Sequence, residues 1–230
     1  MKKQLLCAFI ASLFLMANTA FGQFSRPISI GAGAGVALNF TDLANVEPKF
    51  AFYGEADYLI TPYLSVGLRG EKGTLEGNGY DSEFKNRYFA GNINGKIRIG
   101  QFMGHPDNYS YYTLEANTLS RILSNVYVGA GAGLVKNRIN RTTSTFYRDY
   151  LANSGGELST DLGEIHFVVP LNAGVDIPFG RTLYGPQWAI NVNYQHSLTF
   201  NDNLDGIKNK SNDHYGFVSV GVKYALFNRK

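Results

Sequence analysis

A strict two-residue alternation of apolar and small or polar side chains runs through most of the chain. From Ile28 to Phe40 every even position is apolar, while the odd positions are small or polar. Successive side chains of a β-strand point to opposite faces, so this period predicts a strand with one apolar face. The alternation recurs in seven further segments, near 50–60, 64–71, 88–99, 126–134, 165–176, 188–199 and 215–226. Eight such strands, an even number, favour an antiparallel sheet that closes on itself.

The composition excludes two other classes of protein. After the N-terminal segment no apolar run reaches the ~18 residues that a membrane-spanning helix needs, and the mean hydropathy is −0.15. The chain is therefore not a bundle of transmembrane helices. Its formal net charge is only +3. Nucleic-acid binding needs a concentrated basic face, so we expect no nucleic-acid partner.

The first 22 residues have the pattern of a secretory signal peptide. Lys2 and Lys3 precede an apolar core, and Ala20 and Gly22 supply the small residues that a signal peptidase reads. We predict that 1–22 is removed, which leaves 23–230 as one barrel domain with a net charge of +1. The single cysteine lies in the predicted signal peptide, so we expect no disulfide in the mature domain.

The character of the two faces predicts which side of the barrel meets lipid. A soluble lipocalin-like barrel is apolar inside, whereas a membrane barrel is apolar outside. Here the polar face of the first, fifth and seventh predicted strands carries mainly Gly, Ala, Asn, Ser and Thr. The apolar face holds no charge over roughly ten residues per strand, which suffices to cross a bilayer. Aromatic residues gather at the strand ends, as in membrane girdles: Phe40, Phe50, Phe52, Phe89, Phe167 and Phe200 at one end, Tyr58, Trp188 and Tyr224 at the other. The sequence therefore predicts an all-β fold, an eight-stranded antiparallel up-and-down transmembrane β-barrel.

The connections between the strands alternate in character. Long polar segments at 42–48, 73–86, 139–163 and 201–213 are predicted to form loops on one side of the barrel. The opposite side carries the remaining connections and both chain ends. One of these connections, 100–124, has apolar residues at helical spacing near its end, which predicts a short helix within 114–124.

Three stretches give the chain a family resemblance: YLITPYLSVGLRGEKG at 58–73, NVYVGAGAGLVKN at 125–137 and HYGFVSVGVKYALF at 214–227. With them the chain resembles the small eight-stranded outer-membrane barrels of the OmpA/OmpX type. The resemblance implies a location in the outer membrane of a Gram-negative cell, with the long loops extracellular and the opposite side periplasmic. It also implies recognition of the aromatic-ended last strand by the outer-membrane assembly machinery, although three residues follow Phe227 here. We expect a monomer in contact with outer-membrane lipids and lipopolysaccharide.

Charged residues on the lumen-facing parity form the first candidate site. They are Glu55, Asp57, Arg69, Glu71, Lys96, Arg98, His166, Asp176 and Lys223. The interior of an eight-stranded barrel is only wide enough to be filled by side chains, and buried charges must pair. Arg69 faces Glu55 across a tight turn, unless the register shifts its partner by two positions. A salt-bridged plug and a selectivity filter are both open interpretations, and the small diameter favours the plug.

Basic residues on the outward parity form the second candidate site. Lys72, Lys85, Arg87, Lys136 and Arg138 lie at the long-loop ends of three consecutive predicted strands. Ammonium and guanidinium groups pair with phosphate through charge-assisted hydrogen bonds, and outer-leaflet lipopolysaccharide carries phosphates. The cluster is therefore a candidate lipopolysaccharide contact. The alternative is an ordinary solvated rim.

The sequence offers little that suggests catalysis. His196 and Ser197 are adjacent and so point to opposite faces of a strand, while His166 is predicted to face the lumen. We predict no enzymatic activity, no catalytic residue, no cofactor and no metal site. The long loop 139–163 combines Tyr, Phe and Arg, which are typical recognition residues, and is a candidate site for an extracellular ligand. The predicted role is structural or surface-interacting, in envelope integrity or adhesion; a narrow pore for small solutes and a lipid-modifying enzyme are the alternatives.

Overall fold

A computed structural model describes the barrel and parts of its connections. The described residues are 27–40, 45–61, 63–79, 82–103, 118–143, 153, 157–158, 163, 165–180, 187–199, 207–208 and 214–226. The predicted signal peptide and most of the 139–163 loop lie outside them.

Eleven strands and two short helices make up the described chain. The strands are β1 Ile28–Phe40, β2 Asn45–Glu47, β3 Lys49–Leu59, β4 Leu64–Gly79, β5 Ser82–Arg98, β6 Val126–Thr143, β7 Glu157–Leu158, β8 Ile165–Phe179, β9 Trp188–Thr199, β10 Ile207–Lys208 and β11 His214–Leu226. A 3₁₀-helix, Ile99–Phe102, follows β5, and α1, Thr118–Ser124, precedes β6. The position of α1 agrees with the helical spacing in the sequence. No described helix has the length and apolarity needed to span a membrane.

Eight of the strands close into one barrel. β1, β3, β4, β5, β6, β8, β9 and β11 each pair antiparallel with their neighbours along the chain, and β11 pairs with β1 to complete the circle. β2 only extends the outer edge of β4, and β7 pairs with β10. The closed sheet confirms the predicted fold class.

The strands are staggered around the barrel. Following the register from Tyr53 in one direction leads to His166 on β8, and following it in the other direction leads to Asp176 on the same strand. The two routes therefore meet with an offset of ten positions. Such a stagger tilts the strands against the barrel axis, so residues close in height lie at different register positions on different strands.

β4, β5 and β6 are longer than the sequence predicts. Most of the predicted loop 73–86 is a hairpin, because β4 continues to Gly79 and β5 begins at Ser82. β6 likewise continues to Thr143, into the predicted loop 139–163. Beyond the lipid-facing part of the barrel the outward side chains of these strands are polar, while the inward ones include the buried Leu75, Tyr88 and Ile139. The apolar side chains therefore no longer lie on the outward face, although backbone pairing continues and holds the strands together. The predicted loop ends of this region are therefore wrong.

Apolar side chains cover the outside of the barrel. Large side chains such as Phe52 (63% exposed) and Leu68 (62%) point outward, while their strand neighbours are buried inside. Contiguous apolar surface on this scale needs an apolar surrounding, which gives the barrel the orientation of a membrane protein. Phe50, Phe52, Phe89 and Phe167 are exposed near the outer end, and Trp188 packs against Tyr224 at the other end with ring centroids 4.6 Å apart. Phe200 lies outside the described residues.

Glycines inside the barrel make room for large lumen side chains. A Cβ atom at Gly33 would lie 2.6 Å from Cε1 of Tyr53, and one at Gly174 would lie 2.6 Å from Oη of Tyr127. The glycines of the small-residue face are therefore the spaces into which tyrosines from other strands fit.

Candidate functional site: the filled lumen and an outward basic cluster

Eight buried charged residues form one connected network inside the barrel. Four are carboxylates and four are cations, so the network is neutral when all are ionised: Glu55, Asp57, Glu71 and Asp176 against Arg69, Lys96, Arg98 and Lys223. All eight are at most 7% exposed. The ninth predicted lumen residue, His166, is also buried.

Lys223 is the centre of this network. Its Nζ lies 2.8 Å from Glu55 Oε1, 2.9 Å from Asp57 Oδ2 and 3.3 Å from Asp176 Oδ1. Lys96 binds two of the same carboxylates, at 2.9 Å from Glu55 and 3.0 Å from Asp57. One ammonium group therefore links carboxylates from β3 and β8, on opposite sides of the lumen.

Arg69 carries the network toward the outer half of the barrel. It lies directly opposite Glu55 in the β3–β4 register, 3.4 Å from that carboxylate, and its Nε donates to Glu71 at 2.8 Å. Its guanidinium carbon lies 3.9 Å from the centroid of the Tyr53 ring, a cation–π contact. The unshifted register is thus the one the structure adopts.

Amide side chains connect the charges to the remaining lumen wall. Asn191 Nδ2 donates to Asp176 at 2.8 Å and to Tyr127 Oη at 2.9 Å, and Tyr127 in turn donates to Asn193 at 3.0 Å. Asn172 donates to Asn94 at 3.1 Å. Because each member is fixed by several partners, these polar side chains fill the lumen as a rigid array.

An apolar layer lies above the charge network, on the long-loop side. It comprises Ala37, Ala51, Tyr53, Leu75, Tyr88, Ala90, Val135, Val168, Tyr215 and Phe217, all buried. This layer is not among the sites predicted from the sequence, although Tyr53, Tyr215 and Phe217 lie at lumen-facing positions of the alternation and were the signal that could have indicated it. The lumen is therefore filled by two successive layers, the charge network and the apolar layer.

His196 does not form a catalytic arrangement with Ser197. His196 points outward, accepts or donates a hydrogen bond with Tyr194 Oη at 3.1 Å, and packs against His214 with ring centroids 5.1 Å apart. Ser197 is fully buried on the lumen side. Among the described residues no group of three or more His, Cys, Asp or Glu side chains is arranged to hold a metal ion.

The five predicted basic residues lie together on the outside of β4, β5 and β6. Lys72, Lys85, Arg87, Lys136 and Arg138 are all exposed. Lys72 stands opposite Phe89, and Phe89 opposite Lys136, so cations alternate with an aromatic ring of the outer girdle. They belong to the extended strands rather than to loop ends, which gives the cluster a regular, backbone-paired base. We call these five residues the basic cluster.

Two arginines of the basic cluster face each other across the β5–β6 pair. Arg87 and Arg138 are register partners on the same face, and neither has an ion pair within the described part of the chain. Like charges directly opposite each other in a sheet are unfavourable. With Phe50, Phe52 and Lys136 these arginines line an outward groove of about 640 Å³.

One member of the basic cluster is already neutralised. Lys85 Nζ lies 2.5 Å from a Glu76 oxygen, and Lys49 lies 2.7 Å from the other oxygen of that carboxylate. Hydrogen bonds from the two lysines hold the pKa of Glu76 below its usual value. The same contact raises the pKa of Lys49. Lys72, Arg87, Lys136 and Arg138 make no such pair among the described residues.

Comparisons with known proteins show the fold but no activity. No protein-family model matches the chain, and no curated relative matches it in sequence. The crystal structure of neisserial surface protein A, NspA, superimposes with a TM-score of 0.51 at 13% identity, covering 89% of this chain and 100% of NspA. Ail, the attachment invasion locus protein of Yersinia pestis, gives 0.48 at 11% identity, with coverage of 87% and 100%. OprG from Pseudomonas aeruginosa gives 0.42 at 10% identity, with coverage of 87% and 98%.

Proposed function

Because the chain has the fold of the small eight-stranded outer-membrane barrels, we propose that it is a non-enzymatic outer-membrane protein that contacts lipopolysaccharide through the basic cluster. The cluster would bind phosphate groups of the outer leaflet. Through this contact the barrel would contribute to envelope integrity. The extracellular loops, 139–163 among them, would be available for surface interactions.

The pairing of Arg87 with Arg138 carries this proposal. Two unneutralised guanidinium groups side by side on a rigid sheet form a pair of planar donors that suits one phosphate. A phosphate between them would replace repulsion by charge-assisted hydrogen bonds. An ordinary solvated rim would gain nothing from placing the arginines opposite each other, next to an aromatic girdle.

The filled lumen supports a structural role over a pore. The charge network and the apolar layer follow each other along the interior, and every side chain of the two is buried. Water-filled channels occur in barrels with more strands, where side chains leave the centre open. The full chain in planar bilayers should therefore give no discrete conductance steps. Steady steps that change in Arg69→Ala would instead support the narrow pore.

Lipopolysaccharide binding tests the proposal directly. We expect replacement of all five cluster residues by Gln to weaken binding of purified lipopolysaccharide to the folded barrel by at least about tenfold, since several charge-assisted contacts are lost together. Binding to the native protein should also fall at high salt. The matched control is Lys49→Gln, which removes a nearby half-buried cation outside the cluster. Unchanged lipopolysaccharide binding by the variant with all five residues replaced would contradict the proposal.

A further inference from the structure

A second outward groove lies beside the groove of the basic cluster, on the same four strands, β3 to β6. It has a volume of about 590 Å³, within the size range of small-molecule sites. Gly54, Gly70 and Gly91 are register partners across β3, β4 and β5 and form its floor. Leu68, Ile93 and Leu134 form its sides and are 55–62% exposed. The groove is thus apolar and opens on the lipid-facing surface.

The apolar groove and the groove of the basic cluster follow each other along every strand. On each strand the outward residue of one groove is two positions from that of the other: Phe52 and Gly54, Lys72 and Gly70, Phe89 and Gly91, Lys136 and Leu134. Alternate residues of a strand share a face, so the two grooves form one surface track. The basic part lies toward the outer end of the barrel, and the apolar part lies deeper in the belt.

This order matches the chemistry of a phosphorylated, acylated lipid of the outer leaflet. Such a molecule carries phosphates at the membrane surface and acyl chains directly below them. A headgroup on Arg87 and Arg138 places its acyl chains over the neighbouring groove. The charge of one groove and the apolarity of the other therefore select the same ligand at two depths.

We propose that the apolar groove seats an acyl chain of the lipid whose phosphate the basic cluster binds. The inference rests on the proposed function and adds selectivity for the acylated part of the ligand. Within a bilayer the acyl chain moves into the groove from surrounding lipid and not from water. The favourable binding free energy therefore comes from close packing in a groove of matching shape. We therefore expect a moderate effect on affinity and a clear effect on where the acyl chain lies.

The test is to fill the groove without disturbing the barrel. No heavy atom lies within 4 Å of the Cβ position at Gly70 or Gly91, so leucine fits outward at both sites. A matched control is Gly95→Leu, on the same strand and face as Gly91; its Cβ would lie 3.8 Å from the Ala130 carbonyl oxygen, an ordinary contact. Each full-length variant is placed in lipid nanodiscs with lipid A carrying a photoreactive acyl chain. Cross-linked residues are then mapped by mass spectrometry.

The expected cross-links concentrate on the walls of the groove, at Leu68, Ile93 and Leu134. G70L/G91L should remove them and lower lipid A affinity by about threefold or more, whereas Gly95→Leu should leave both unchanged. Cross-links spread evenly around the barrel, or retained in G70L/G91L, would overturn the inference.

A de-acylated, phosphorylated lipopolysaccharide fragment separates the two proposals. It should bind G70L/G91L as well as the native barrel, and it should lose binding when the basic cluster is replaced by Gln. If the fragment does not bind the native barrel, the proposed contact between phosphate and the basic cluster is wrong. If the fragment binds normally and G70L/G91L still holds lipid A with full affinity, only the acyl groove is wrong.

Discussion

The charges inside the barrel are balanced, whereas those on its outer basic cluster are not. Inside, four carboxylates meet four cations, and Lys223 alone contacts three carboxylates. Outside, five cations stand on three neighbouring strands, and only Lys85 has a carboxylate partner among the described residues. The two sets belong to the same alternating strands but lie on opposite faces, as the adjacent residues Glu71 and Lys72 show.

The difference follows from the solvent that each face meets. An unpaired charge in the lumen has neither water nor lipid headgroups to solvate it, so balance is a condition for folding. An exposed cation costs little on its own and can remain without a protein partner. Paired buried charges are therefore part of the structure, while the unpaired cations on the outside of the sheet are the ones that we propose to bind a ligand.

Removing the central lumen cation gives the largest effect we predict. Lys223→Met leaves three buried carboxylates short of a partner and should lower the free energy of unfolding by about 3–5 kcal/mol. Denaturant unfolding of the barrel in lipid vesicles would measure the loss. Adding Asp57→Asn to Lys223→Met removes one stranded carboxylate and should restore part of the stability. A loss below about 1 kcal/mol for Lys223→Met would contradict the view that the network holds the lumen together.

The faces of the strands could be predicted from the sequence because parity alone decides them. All nine predicted lumen residues point inward in the structure, and the five basic residues point outward. The face on which a side chain lies depends only on its position in the local alternation, so it is predicted correctly even where the predicted strand ends are wrong. The lengths of β4 to β6 could not be predicted, because beyond the lipid-facing part the outward side chains become polar. The inward face there mixes buried apolar residues such as Leu75 and Ile139 with polar ones, so the pattern of the first part of each strand does not continue.

The two grooves could not be predicted because they depend on register around the barrel. Gly54, Gly70 and Gly91 are separated by 16 and 21 positions in sequence, and only strand pairing aligns them. The pairing of Arg87 with Arg138 and the apolar layer inside the barrel depend on the strand register in the same way. Which residues of two strands lie side by side depends on the register between the strands, and the sequence pattern of one strand does not determine that register.

Single substitutions in the basic cluster should separate free cations from the paired one. Arg138→Gln removes an unpaired guanidinium and should weaken lipopolysaccharide binding about five- to tenfold, as expected for one charge-assisted contact. Lys85→Gln removes a cation already held by Glu76 and should weaken binding less. The measurement is a titration of lipopolysaccharide onto each folded variant at fixed salt. Equal losses for the two variants would show that ion pairing does not decide which cations are available.

The ion pairs at Glu76 give the smallest predicted effect and the clearest dependence on pH. The pKa of Glu76 is lowered in the folded barrel, so its pairs with Lys49 and Lys85 stabilise the fold above the usual glutamate pKa of 4.5 and lose this contribution as the pH falls below it. The group is partly exposed, so Glu76→Gln should cost under about 1 kcal/mol at neutral pH. Unfolding of the native and Glu76→Gln barrels should converge at acidic pH, and also at 1 M salt, where exposed pairs are screened. A difference that persists at acidic pH would mean that Glu76 acts through packing of the β2–β4 edge rather than through charge. In contrast to Lys223, Glu76 can be lost at little cost because water replaces its partners.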